Sequence, residues 1–101
     1  MKITIDVSNF SDYTRVCLAE ELKDADSLRA LSKVGGDLNV RLALAENDHT
    51  PADVLDKLSD DEDAEVRYWV VENANTTKNT IIKLAEDKNS EVRKKAREKL
   101  N

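Results

Sequence analysis

A chain of 101 residues with 40% hydrophobic and 37% charged side chains can bury one core and leaves no room for a second domain. Its net charge of −5 argues against a general phosphate-backbone binder, and a single cysteine excludes a disulfide framework or a thiolate cluster. No run reaches the roughly 18–20 apolar residues that span a bilayer, and the opening stretch lacks the apolar centre of a signal peptide, so a cytoplasmic protein is expected.

Residues 1–10, "MKITIDVSNF", alternate apolar and polar positions, which predicts an extended lead-in covering the exposed edge of the first helical unit. "SDYTRVCLAEE" from Ser11 opens on a helix-capping residue, and Cys17 falls on its apolar face, where a small buried hydrophobe is expected. "DADSLRALS" places Leu28 and Leu31 on a second helix that ends before "VGGD". "DLNVRLALAEN" from Asp37 predicts the next helix. In "TPADVLDKLS", Thr50 fits an N-cap, Pro51 the first helical position and Asp53 a weak capping box, with Leu55 and Leu58 facing inward. After the acidic turn "SDDED" come "DAEVRYWVVEN" from Asp63 and "TTKNTIIKLA" from Thr76, the latter repeating the inward pair as Ile81 and Leu84. "EDKN" leads into "NSEVRKKAREK", a last helix with Val92, Ala96 and Leu100 on one face and charge elsewhere.

These segments recur. Ser11, Asp37, Asp63 and Asn89 stand 26 residues apart, and so do Arg15, Arg41, Arg67 and Arg93, and Glu20, Glu46, Glu72 and Glu98. The chain has six arginines, so four in one phase mark a true repeat. The "DADSLRALS" helix sits one residue out of register with its later counterparts. The expected fold is all-α: an α-α superhelix of three helical hairpins, 11–36, 37–62 and 63–88, closed by a capping helix at 89–101. One hairpin of this size cannot bury its apolar face alone, whereas stacked neighbours share a core.

The D-x-x-x-x-V-R pattern at Asp61/Val66/Arg67 and Asp87/Val92/Arg93 resembles HEAT-like repeats. The longer stretch "VRLALAENDHTPADVLDKLSDDEDAEVR", with V-R, A-x-N and T-P-x-x-V-L-x-x-L in order, resembles the variant leucine-rich repeat family. The likeness covers 37–93 well, 11–36 partly and 1–10 not at all. That family's unit is a couple of residues shorter. Its founding type carries an iron–sulfur cluster whose cysteines this chain lacks, Gly35 replaces the first acidic residue, and Thr77 stands where Pro51 stands. The resemblance implies a right-handed solenoid. It also implies a protein-binding role, although related domains include lyase subunits and DNA glycosylases; none of their catalytic residues transfers here.

With Val66 facing the core, Trp69 and Val70 share its face and Asn73 lies at the far edge. Val16, Leu42 and Tyr68 fall on the opposite phase, flanked by Glu20, Glu46 and Glu72. This stripe is either a partner-contact surface or is covered by neighbouring units. The arginine ladder (Arg15, Arg41, Arg67, Arg93) is read as structural, tying turns together through pairs such as Arg67 with Asp61 and Arg93 with Asp87. His49 reads as a loop residue, "DDEDAE" lacks the turn glycine and terminal glutamate of a calcium loop, and no base–nucleophile pair assembles. No cofactor, metal or catalytic residue is expected. Residues 91–101 carry Arg93, Lys94, Lys95, Arg97 and Lys99 against two glutamates, +3, leaving −8 elsewhere. Such cations suit a helix C-terminus, but they could also form a basic site for nucleic acid or another anionic partner, or drive head-to-tail self-association. The expected function is a non-catalytic protein–protein interaction module. The alternatives are anionic-partner contact through the basic helix and an accessory subunit of an enzyme.

Overall fold

Side-chain caps start most of the helices. In the computed structural model, which describes residues 10–101, seven helices and no strand occur among the described residues: α1 (Asp12–Glu21), α2 (Ala25–Val34), α3 (Leu38–Glu46), α4 (Ala52–Leu58), α5 (Ala64–Glu72), α6 (Lys78–Leu84) and α7 (Ser90–Leu100). The recurring capping residues behave as their chemistry requires. Ser11, Asp37, Asp63 and Asn89 each accept a backbone N–H from the first turn of α1, α3, α5 and α7.

Helices α1, α3, α5 and α7 form one layer in which each packs on the next, while α2 packs on α3, α4 on α5 and α6 on α7. The core runs through the stack as one cluster that includes Leu28, Leu31, Val40, Leu55, Val66, Ile81 and Val92. The described residues occupy 42 × 26 × 17 Å, longer in one direction than a ball of this size.

The early second helix keeps the 26-residue step by redistributing residues. α2 spans 10 residues where α4 and α6 each span 7. Residues 22–24 join α1 to α2, where 47–51 and 73–77 join the later pairs; residues 35–37 join α2 to α3, where 59–63 and 85–89 make the later links. The short second link demands special backbone. Gly35 lies at φ 78°, ψ −165°, a region open to glycine alone, and a Cβ on Gly36 would sit 2.7 Å from the Val40 Cβ.

Several expectations need correction. Pro51, not Thr50, occupies the cap position of α4; Thr50 is fully buried, and its hydroxyl donates to the Leu44 carbonyl at 2.6 Å. Thr76 does the same to Val70 at 2.6 Å, so the threonine ties down the end of the preceding helix and Thr77 caps α6. Asp53 makes no capping box; Arg29 holds it through Nε at 2.7 Å and Nη2 at 3.0 Å, linking α2 to α4. Cys17 is exposed, because no helix packs over that side of α1 among the described residues. Leu100 is 38% exposed, beyond the reach of the core that holds Val92 and Ala96. Trp69 is half-buried at the edge of the core, edge-on to Tyr68 at 5.6 Å. The expected lead-in at 1–10 lies outside the described residues except for Phe10, which packs against the core half-buried.

Candidate functional site

The arginine ladder works in both directions along the stack. Arg67 donates from Nη1 to the Asp61 carbonyl behind it at 2.7 Å, and from Nε and Nη2 to the Asp87 carboxylate ahead at 2.8 and 3.2 Å. Arg41 reaches back to the Gly36 carbonyl at 3.1 Å and forward to the Asp61 carboxylate at 2.8 Å. Arg93 takes the Asp87 carbonyl at 2.8 Å. Both expected pairs, Arg67 with Asp61 and Arg93 with Asp87, are present through the aspartate carbonyl, while the carboxylate of each aspartate serves the previous arginine. Gly35 stands where Asp61 and Asp87 stand, so that position offers Arg15 no carboxylate; Arg15 pairs with Asp12 at 3.5 Å. Arg67 and Asp87 are nearly buried, with 6% and 8% of their side chains exposed. Burial is the largest influence on the Asp87 carboxyl and pushes it up. The Arg67 hydrogen bond, the Asn89 N–H and nearby positive charge together outweigh it and hold the carboxyl below its ordinary value.

A second ladder escaped the sequence reading. The Asn47 amide donates to the carbonyls of Ala19 and Leu22 at 2.7 and 2.9 Å; the Asn73 amide donates to those of Ala45 and Asn47 at 2.8 and 2.9 Å. Each side-chain oxygen accepts an N–H from its own loop, from His49 at 2.7 Å and from Asn75 at 2.9 Å. Both asparagines are buried, and these bonds satisfy carbonyls at the C-terminal ends of α1 and α3. The signal was available in the recurrence of asparagine directly after Glu46 and Glu72.

Both ladders are committed to the scaffold. The outer face of α1, α3, α5 and α7 is open. Val16 and Leu42 are half-buried against the core, and with Ala43 and the 79% exposed Tyr13 they line a groove of about 550 Å³ between α1 and α3. Asp12, Glu20, Asp37 and Glu46 also line it, and no lysine or arginine does. Four of the six residues expected at a partner surface, Val16, Leu42, Glu20 and Glu46, thus meet in one groove. Glu72 lies further along, with Glu46 and Trp69 in a groove of about 310 Å³. Tyr68 lies beyond that, with Lys94 and Lys95 in one of about 140 Å³.

The basic helix is less free than its composition suggests. Besides Arg93, Lys95 lies 3.7 Å from both Glu72 and Glu98, with Glu72 the main reason its ammonium is held above the ordinary value. Arg97 donates to the Ala85 carbonyl at 3.0 Å. Lys94 and Lys99 are exposed. Among the described residues, no group of histidine, cysteine and carboxylate side chains could hold a metal, and no helix is long and apolar enough to cross a membrane.

Residues 38–63 match the family model described as leucine rich repeat variant, which bears out the resemblance over that unit. No curated protein and no solved structure matches the chain significantly.

Proposed function

We propose that this chain, with a leucine rich repeat variant unit at 38–63, is a single right-handed α-solenoid domain over 11–101, with units 11–36, 37–62 and 63–88 and a closing helix at 89–101. It acts in the cytoplasm as a non-catalytic module that docks another protein on the outer face of its first-helix layer. The observation that carries this reading is the groove between α1 and α3, where exposed Tyr13 and half-buried Val16 and Leu42 lie among carboxylates. Apolar surface within a charged rim is the usual make-up of a protein-contact site, since burying the apolar part supplies the affinity and the rim supplies selectivity. The arginine and asparagine ladders already hold one unit to the next. Three of the five cations of α7 have partners within the molecule, and no observation favours the anionic-partner alternative.

The test is capture of partners from the native host by the tagged chain, followed by binding of the purified partner to a Tyr13→Ala/Leu42→Ala variant. Loss of two interface anchors weakens binding at least about tenfold, at about 1 kcal/mol or more each, while the helical circular dichroism is retained. Undiminished binding by a folded double variant rejects this face as the docking surface.

A further inference from the structure

The molecule contains its own example of what the glutamate ladder accepts. On α7, Lys95 sits where Glu72 of α5 and Glu98 of its own helix flank it, 3.7 Å from each. One repeat earlier the equivalent position is Trp69, flanked by Glu46 and Glu72; two repeats earlier it is Ala43, flanked by Glu20 and Glu46. At those two steps no cation of the described residues takes the place of Lys95. Glu20 and Glu46 are exposed and have no ion pair among the described residues. Glu72 already pairs with Lys95 through its buried Oε1, so at the Trp69 step the open carboxylate is that of Glu46.

We propose that this face takes a lysine- or arginine-bearing segment of a partner protein. One cation lies over Ala43 between Glu20 and Glu46, as Lys95 lies between Glu72 and Glu98, and a second lies against the Trp69 ring beside Glu46. The assignment rests on the docking face proposed above and adds the chemistry of its occupant. Ala43 is buried at the floor of the groove, and its methyl leaves empty the space above it that a long cationic side chain would fill. Trp69 offers the aromatic face on which a guanidinium or ammonium is attracted by the ring quadrupole. Tyr13, Val16 and Leu42 accept apolar residues of the same segment. Packed helices stand roughly 8–10 Å apart, so the two cations belong about three residues apart on an extended segment. The sign of the groove turns away phosphate backbones and anionic lipid surfaces, which carry the same charge.

A random dodecapeptide display library panned against the full chain at physiological salt tests this. Enriched peptides should carry two Lys or Arg residues about three apart with apolar neighbours. Neutralising Glu20→Gln/Glu46→Gln should weaken a selected synthetic peptide about fivefold to tenfold, and Ala43→Lys, which copies the Lys95 arrangement, should block it competitively. Binding should also weaken as salt rises. Enrichment of acidic or purely apolar peptides, absence of enrichment, or affinity unchanged in the folded glutamine variant overturns the cationic assignment. If peptide binding ignores the two glutamates yet falls in the Tyr13→Ala/Leu42→Ala variant, the docking face stands and its proposed occupant does not.

Discussion

Asn73 uses both amide hydrogens and its oxygen at once, inside the molecule and across two units. Asn73→Asp keeps the shape but turns two donors into an acceptor that faces the carbonyls of Ala45 and Asn47. Urea denaturation should show a loss of about 3–5 kcal/mol for this variant, against about 1–3 for Asn73→Ala, which leaves the carbonyls bare without adding a charge. Equal stability of Asn73→Asp and the parent would mean that the ladder carries no energy. Arg67 and Asp87 obey the same logic. Cutting either side alone strands a buried charge, so Asp87→Leu should cost about 3–5 kcal/mol, and Arg67→Met/Asp87→Leu should recover part of that loss. Recurrence picked out the arginines easily. Which atom of each aspartate they use was not legible, because a carboxylate and a carbonyl of one residue share one letter.

At the scale of elements, periodic spacing and capping residues placed all seven described helices, since both are local properties of consecutive residues. They failed where an element's role depends on a neighbour. Thr50 reads as a cap from its own segment, yet its hydroxyl goes to the end of α3. Asp53 reads as part of a capping box, yet it faces Arg29 of the preceding hairpin. The α2–α3 link is sensitive to substitution at both of its glycines. Gly36→Ala drives a methyl into the rigid Val40 branch and should lower stability by about 1–3 kcal/mol; Gly35→Ala strains a glycine-only conformation by a similar amount. Thermal melts of both variants check this, and an unchanged melting temperature for Gly36→Ala would show that α3 shifts freely away from the link.

At the scale of the molecule, Asp87 makes stability depend on acid. Its folded-state carboxyl titrates below its ordinary value near 3.8, so its stabilisation is fully present above that value and is lost as pH falls through the lower, folded one. The stability gap between the parent and Asp87→Asn should therefore be widest near neutrality and narrow on acidification below about pH 4. Denaturation midpoints of both proteins at pH 6 and pH 3 measure it. A gap that does not change would mean that the carboxylate's charge contributes nothing.

By itself the sequence determined that the repeats are helical, where the first helix of each repeat begins, that most of the chosen leucines and valines face inward, and that one arginine and one glutamate return every 26 residues. Those properties arise from backbone hydrogen bonding and side-chain phase within a single helix. Only the tertiary structure decided which carbonyls the asparagines satisfy, that Cys17 and Leu100 lie outside the core, and that Val16 and Leu42 share one groove while Tyr68 falls in another. The phase of a residue gives a direction from its own helix axis. What lies in that direction is set by how closely the next helix packs, a distance that spacing along the chain does not contain.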